Sequence, residues 1–260
     1  MPIPDAGYPR AAAHSPRVQV VETTASTNAD VIAAVTADPA GWPHLSLLVT
    51  DDQRAGRGRL DRSWTTPPGT ALAVSVVVDA SAIPVAQRGW IPLAAGAAMT
   101  RAVAAQLAGH GGTAELKWPN DVLVNGGKIC GILAEVVPGK PDTVVVGAGI
   151  NTRMGRADLP VTTATSFAAI GAECDDDRLL ADYLEHLGDT LAALGRGEFE
   201  RVHRDIEKLC ATVGREVSVS LPVGSVLQGT ATGLDDDGRL VVEAGTIETA
   251  VSAGDVVHVR

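Results

Sequence analysis

Twelve residues, Gln53 to Trp64, hold four arginines (Arg54, Arg57, Arg59, Arg62) and two glycines (Gly56, Gly58), and they end on a tryptophan. That arginine density excludes a core element, and the glycines work against a stable helix. Guanidinium forks and backbone N–H groups on a glycine-rich loop are suited to folding around an anion. A solvated surface loop has the same composition, so the run acquires chemical meaning only with two later segments. One is Lys117-Trp118-Pro119-Asn120-Asp121. The other is Gly127-Lys128-Ile129-Cys130-Gly131-Ile132-Leu133. Lys128 begins an apolar strand after a Gly-Gly turn. Its ammonium either snorkels to solvent or projects into a cleft as a fixed charge for a transferring phosphoryl or acyl group. Asn120 and Asp121 serve equally well as Asx-turn residues or as groups beside a phosphate or metal. Gly147 and Gly149 permit close approach of a ligand, and Asn151 after them could read a base edge. Cys130 reads as a small buried apolar residue.

The elements that must position these residues are legible in outline. Val18 to Val21 is a strand. Ser26-Thr27-Asn28 opens an alanine-rich helix to about Ala37, with a hydroxyl placed to cap it. Ser46 to Thr50 is an apolar strand that runs into the arginine loop, at the kind of strand end where α/β sheets present ligands. Strands follow at Thr70–Asp79, Val122–Val124, Lys128–Val137 and Thr143–Ile150, and Asn125-Gly126 gives the hairpin signal between two of them. Helices are expected over Pro92–Leu107, Asp177–Leu194 and Glu198–Ala211. After Thr212 the texture changes to short alternating strands between glycine- and aspartate-rich turns, as in a small β-barrel docked on the main domain. The fold class expected is α+β: residues 1–16 a loose tail, 17–211 a mixed-sheet domain with helices, 212–260 a small barrel.

Composition narrows the class. The chain has 260 residues, is 45% apolar and carries a net charge of −10. Acidity spread over the chain with one local basic loop argues against general nucleic-acid binding and suits capture of a small anion. Three widely spaced cysteines give neither a disulfide framework nor a zinc site, which points to a reducing, cytoplasmic setting. Residues 1–17 are neither a signal peptide nor an anchor, and no apolar run approaches the roughly 20 residues of a membrane span.

Taken together and in order, Ser26-Thr27-Asn28, Gln53-Arg-Ala-Gly-Arg-Gly-Arg59 with Trp64, Lys117–Asp121, Gly127–Leu133 and Gly147-Ala-Gly-Ile-Asn151 resemble the biotin–protein ligases over about residues 18–260. The family's loop often carries a further glycine and arginine where this chain has Leu60-Asp61. The resemblance implies a mixed-sheet ligase domain followed by an SH3-like β-barrel. It also implies a reaction in which biotin and ATP, with Mg²⁺, give biotinyl-5′-adenylate, after which biotin passes to a lysine of a biotin carboxyl carrier domain of an acyl-CoA carboxylase. Carried onto this sequence, Ser26, Thr27, Asn28 and Gln53 hold the biotin head group. Arg57, Gly58 and Arg59 hold its carboxylate and the phosphate, and Lys128 bridges both. Arg57, Arg59 and Lys128 are then the catalytic residues. Trp64 packs on the adenine, Asn151 meets the base, Asn120 sits near the phosphates and Asp121 near the metal. Bifunctional members carry a helix-turn-helix domain before the ligase domain. Seventeen residues precede the first strand here, so the monofunctional kind without specific DNA binding is expected. Alternatives are a lipoate–protein ligase-like enzyme and a non-catalytic biotin-sensing module.

Overall fold

The computed structural model describes residues 7–59, 62–64, 66–221, 225–252 and 254–259. Leu60 and Asp61, the departure in the arginine loop, lie outside these residues. The elements in chain order are β1 (Val18–Val20), α1 (Thr27–Ala37), β2 (Leu47–Thr50), β3 (Gly56–Arg57), β4 (Ser63–Trp64), β5 (Ala71–Asp79), α2 (Ile91–Gln106), β6 (Ala114–Lys117), β7 (Asp121–Val124), β8 (Gly127–Val137), β9 (Lys140–Asn151), α3 (Asp176–Gly195), α4 (Phe199–Glu207), β10 (Glu216–Ser220), β11 (Val226–Leu234), β12 (Leu240–Ala244), β13 (Ile247–Val251) and β14 (Asp255–His258).

A seven-stranded sheet in the order β1-β2-β5-β9-β8-β7-β6 forms the frame. It is mixed: β1 runs parallel to β2 and the remaining neighbours are antiparallel. Strand alternation sorts side chains to its two faces. Val144, Val146, Ala148 and Ile150 of β9 join the large core beneath α2 and α3, whereas Val145 joins the smaller cluster with Val31 and Val35 of α1. Helix α2 is buried nearly all round, as its alanine-rich sequence requires of a helix lying between sheet and α3. The Ser26 hydroxyl caps α1 by accepting from the Ala29 N–H. The β7–β8 turn has positive φ at both Asn125 (49°) and Gly126 (80°), which is what a two-residue hairpin of right-handed twist demands.

Residues 8–16 are not a loose tail. Tyr8 and Ala11 are buried, and the Arg10 and Ala11 N–H groups donate to the Asp177 carboxylate at 3.0–3.1 Å. Those partners lie on the first turn of α3, so local composition gives no sign of them. The arginine loop is also more structured than its composition suggests, since β3 and β4 pair Gly56 with Trp64 and Arg57 with Ser63.

Strands β10 to β14 form a five-stranded antiparallel sheet in the order β13-β12-β11-β10-β14. Among the described residues no ladder joins β13 to β14, so a closed barrel is not observed. The turn between β11 and β12 fastens this sheet to the main domain. Trp90 Nε1 donates to the Asp236 carbonyl at 2.8 Å, and Trp118 Nε1 to the Gly238 carbonyl at 3.0 Å. His203 stacks on Trp90 with ring centroids 3.7 Å apart, and burial pushes its pKa down. A Cβ on Gly89 would lie 2.3 Å from the Asp237 carbonyl oxygen, so the turn seats only against bare backbone. Replacing Gly89 by alanine is therefore expected to destabilise the protein by about 1–3 kcal/mol, read as a lowered urea midpoint.

Candidate active site

The pocket lies on the α1 face of the sheet, and its floor is made by leaving side chains out. In the register across β5, β9 and β8, Ala73 stands opposite Gly149 and Gly149 opposite Gly131. In the next row on the same face, Ser75 stands opposite Gly147 and Gly147 opposite Leu133. A Cβ on Gly147 would fall 2.4 Å from Asn28 Oδ1, and one on Gly149 would fall 2.5 Å from Cε2 of Trp64. The first turn of α1 and the β3–β4 hairpin can therefore lie directly on the strands.

Every sequence-assigned site residue except Asn151 lines this cavity: Ser26, Thr27, Asn28, Gln53, Arg57, Gly58, Arg59, Trp64, Asn120, Asp121 and Lys128. Asn151 is buried, and its side-chain amide donates to the Thr165 carbonyl at 2.9 Å, which secures the loop after β9. Gly254 and Val256, from the edge of the second sheet, complete the wall.

At the α1 end the polar groups form one network. Gln53 Oε1 accepts from the Thr27 backbone N–H at 2.8 Å and from the Thr27 hydroxyl at 3.1 Å. The Ser75 hydroxyl lies 2.8 Å from Thr27 Oγ1 and 2.6 Å from Asn28 Oδ1. Asn28 Nδ2 donates to the Leu133 carbonyl at 3.2 Å and to Glu135 Oε2 at 2.8 Å. Asn28 therefore shapes the pocket through protein contacts on both ends of its amide. Buried donors and acceptors fixed in this way present the remaining polar atoms to a ligand without further ordering.

The cations complete the lining. Lys128 Nζ is 2.6 Å from Asp121 Oδ1 and lies over Gly131, whose missing side chain makes room for it. Arg57 pairs with Glu135 at 2.9 Å, and an Arg59 nitrogen donates to Asn120 Oδ1 at 3.1 Å. Asn120 is itself held by donation from its Nδ2 to the Ile132 carbonyl at 2.7 Å. Lys128, Arg57 and Arg59 are thus already held by protein acceptors near the pocket. Cys130, one strand position from this cluster, is fully buried; burial pushes its thiol far up, so it stays neutral and acts as packing.

Sequence reasoning missed Ser75 and Glu135. Ser75 is the one polar residue between Ala71 and Val78, and Glu135 the one polar residue between Ile129 and Val137. That interruption was the available signal: Ser75 lies in a strand buried on both faces and must be satisfied there, and Glu135 interrupts a half-buried apolar run.

With this geometry in view, comparison with known proteins identifies the class. The Biotin/lipoate A/B protein ligase family matches residues 20–151, and the biotin protein ligase C-terminal domain matches residues 212–259. The chain belongs to this family. Among individual relatives, the biotin–(acetyl-CoA-carboxylase) ligase of Mycobacterium tuberculosis is 37% identical over 94% of this chain and 90% of its own length. The bifunctional ligase/repressor of Escherichia coli is 27% identical over 80% of this chain, which spans 64% of that longer protein. Of solved structures, the biotin protein ligase from Aquifex aeolicus in complex with biotin and ATP shares the fold, with a TM-score of 0.77 and 23% identity over 94% of this chain and 99% of that one. The Leishmania major enzyme in complex with biotinyl-5-AMP aligns with a TM-score of 0.60 and 27% identity over 94% and 99%.

The bare floor gives a direct test. Gly149→Ala is expected to lift the Trp64 ring from the sheet and shift its fluorescence emission to the red. The shift should be absent from Gly149→Ala in a Trp64→Phe background, since Trp64 is the side chain that a Cβ at 149 would meet.

Proposed function

We propose that this protein is a biotin–protein ligase that activates biotin with ATP to biotinyl-5′-adenylate and then transfers biotin to a lysine of a carboxylase carrier domain. The observation that carries this reading is that Arg57, Arg59 and Lys128 line one pocket with Ser26, Thr27, Asn28 and Gln53, in a chain of the biotin/lipoate ligase family. In the first half-reaction the biotin carboxylate attacks the α-phosphorus of ATP and pyrophosphate leaves. Both reactants are anionic, and Arg57, Arg59 and Lys128 offset their repulsion while fixing them in line. Lys128 stands where charge grows on the α-phosphate, and Trp64 offers its ring to the adenine. In the second half-reaction the acceptor lysine's amine attacks the activated carbonyl and AMP leaves. The mixed anhydride is sensitive to water, so the β3–β4 hairpin also has to cover it.

Among the described residues no group of three or more His, Cys, Asp or Glu side chains could hold a metal alone. Mg²⁺ in phosphoryl chemistry is held by one or two carboxylates and the substrate's phosphates. Asp121 on the pocket wall fits that donor set, with Asn120 beside it. The ion would supply charge neutralisation for the triphosphate.

The proposal extends to the rest of the molecule. Residues 17–211 form the ligase unit, and residues 212–260 form an SH3-like module whose short strands and family match support that reading. The acceptor is the carrier domain of an acyl-CoA carboxylase, and specific DNA binding and membrane association form no part of the activity. No helix among the described residues is long and apolar enough to cross a membrane. A cytoplasmic location rests on the three free cysteines. A lipoate-specific enzyme is the alternative, and pyrophosphate release measured with each acid separates the two. A mass increase on a carrier domain incubated with the protein, biotin, ATP and Mg²⁺ tests the reading as a whole.

Lys128→Ala is expected to remove about 2–4 kcal/mol of transition-state stabilisation, two to three decades in biotin-dependent pyrophosphate exchange. Its melting temperature should stay near that of the parent, because Asp121 is partly open to water. Exchange at the parent rate would sink the assignment of Lys128.

A further inference from the structure

We infer that Glu135 is a positioning residue that clasps the arginine hairpin onto the sheet and so retains the adenylate in the pocket until the acceptor amine arrives. The inference rests on the ligase reading above for what is retained, but the clasp itself stands on geometry alone.

From within, the hairpin is held by two residue pairs and by the turn bonds from the Gly58 N–H to the Arg62 carbonyl and from the Arg62 N–H to the Arg59 carbonyl. A ladder of that size does not persist in water unaided. Its closed position therefore depends on contacts with the rest of the protein. Trp64 rests on Gly149, and Arg59 reaches Asn120. Arg57 reaches Glu135 with one nitrogen, 2.9 Å from Oε1 and 3.3 Å from Oε2.

Glu135 is placed to act on more than one element at once. It lies on β8, the strand that begins with Lys128, and its backbone is locked in register opposite Val145 of β9. Its Oε2 also accepts from Asn28 Nδ2 at 2.8 Å. One carboxylate on the rigid sheet thus joins the first turn of α1 to the hairpin that covers the pocket. A glutamine there would keep the size and could still accept from Asn28, but it would give up the ion pair with Arg57. The Arg57 side chain is 55% exposed and that of Glu135 25%, so the link is an ion pair of moderate strength, suited to a cover that must reopen.

The test uses the full chain and the Glu135→Gln variant, with Glu135→Asp as a second variant that keeps the charge. Without ligand, trypsin is expected to cut the Arg54–Arg62 segment of Glu135→Gln about 3–5-fold faster than the parent. With biotin, ATP, Mg²⁺ and a carrier domain, the ratio of adenylate escaping to solvent to biotin transferred should rise by a similar factor. Glu135→Asp should recover part of both effects, which loss of side-chain volume alone would not explain. Unchanged cutting and unchanged escape in a folded, active Glu135→Gln protein would overturn the inference. So would tighter biotin binding by Glu135→Gln, which would mean that Glu135 competes with the substrate carboxylate for Arg57. If the parent protein forms no adenylate, the ligase reading fails, while the ligand-free trypsin comparison still decides whether the clasp exists. If Glu135→Gln does not fold, Glu135→Asp carries the same two readouts, with slower recovery of closure expected from its shorter reach.

Discussion

The site depends on a row of side chains that are not there. Ala73, Gly149 and Gly131 lie side by side across three strands, with Gly147 in the next row. Backbone is the only surface flat enough to let an indole, an asparagine amide and a lysine ammonium share one shallow floor. A methyl group on Gly147 or Gly149 would overlap Asn28 or Trp64 by more than an ångström relative to ordinary contact. The helix, the hairpin and the cationic strand can converge because the sheet yields that space. The cost is a strand with few side chains to pack on one face, offset by the dense core on the other face under α2 and α3.

Charge in the pocket is arranged as pairs. Lys128 with Asp121 and Arg57 with Glu135 hold each cation near the place where an anion must be met. Pairing keeps the guanidinium and ammonium groups from repelling one another across a small volume, and it limits the side-chain freedom lost on binding. It also means that a ligand competes with fixed protein carboxylates, so the pocket gains less from a single charge than from a ligand that offers a carboxylate and a phosphate together. Two linked anions are what an acid being joined to a nucleotide presents.

Much of this could be read from the sequence, because the relevant residues break local rules. Arginines beside glycines, a lysine opening an apolar strand and Asn-Gly between alternating runs are visible without knowledge of the fold. The element order, the capped first helix and the change of texture after Thr212 were legible for the same reason. What escaped depends on distant partners. Residues 8–16 look like a tail until Asp177 receives their N–H groups. The bond from the Asn151 amide to the Thr165 carbonyl has no sign in the local sequence. Ser75 and Glu135 acquire their role only through hydrogen bonds to Asn28, which lies far from them in the chain. The closed pairing of β3 with β4 is likewise a tertiary result, since neither segment has strand character in isolation.

The wall formed by Gly254 and Val256 gives the pocket a temporal order as well as a shape. A chain that emerges from the ribosome amino end first can lay down the seven-stranded sheet, seat α1 and place Lys128 while the second sheet is still unmade. At that stage the floor exists but one side stands open. The two tryptophans, Trp90 and Trp118, wait with indole N–H groups directed at carbonyls that arrive more than a hundred residues later. The cleft therefore stays open on that side until residues 254–256 have been made and the second sheet has docked.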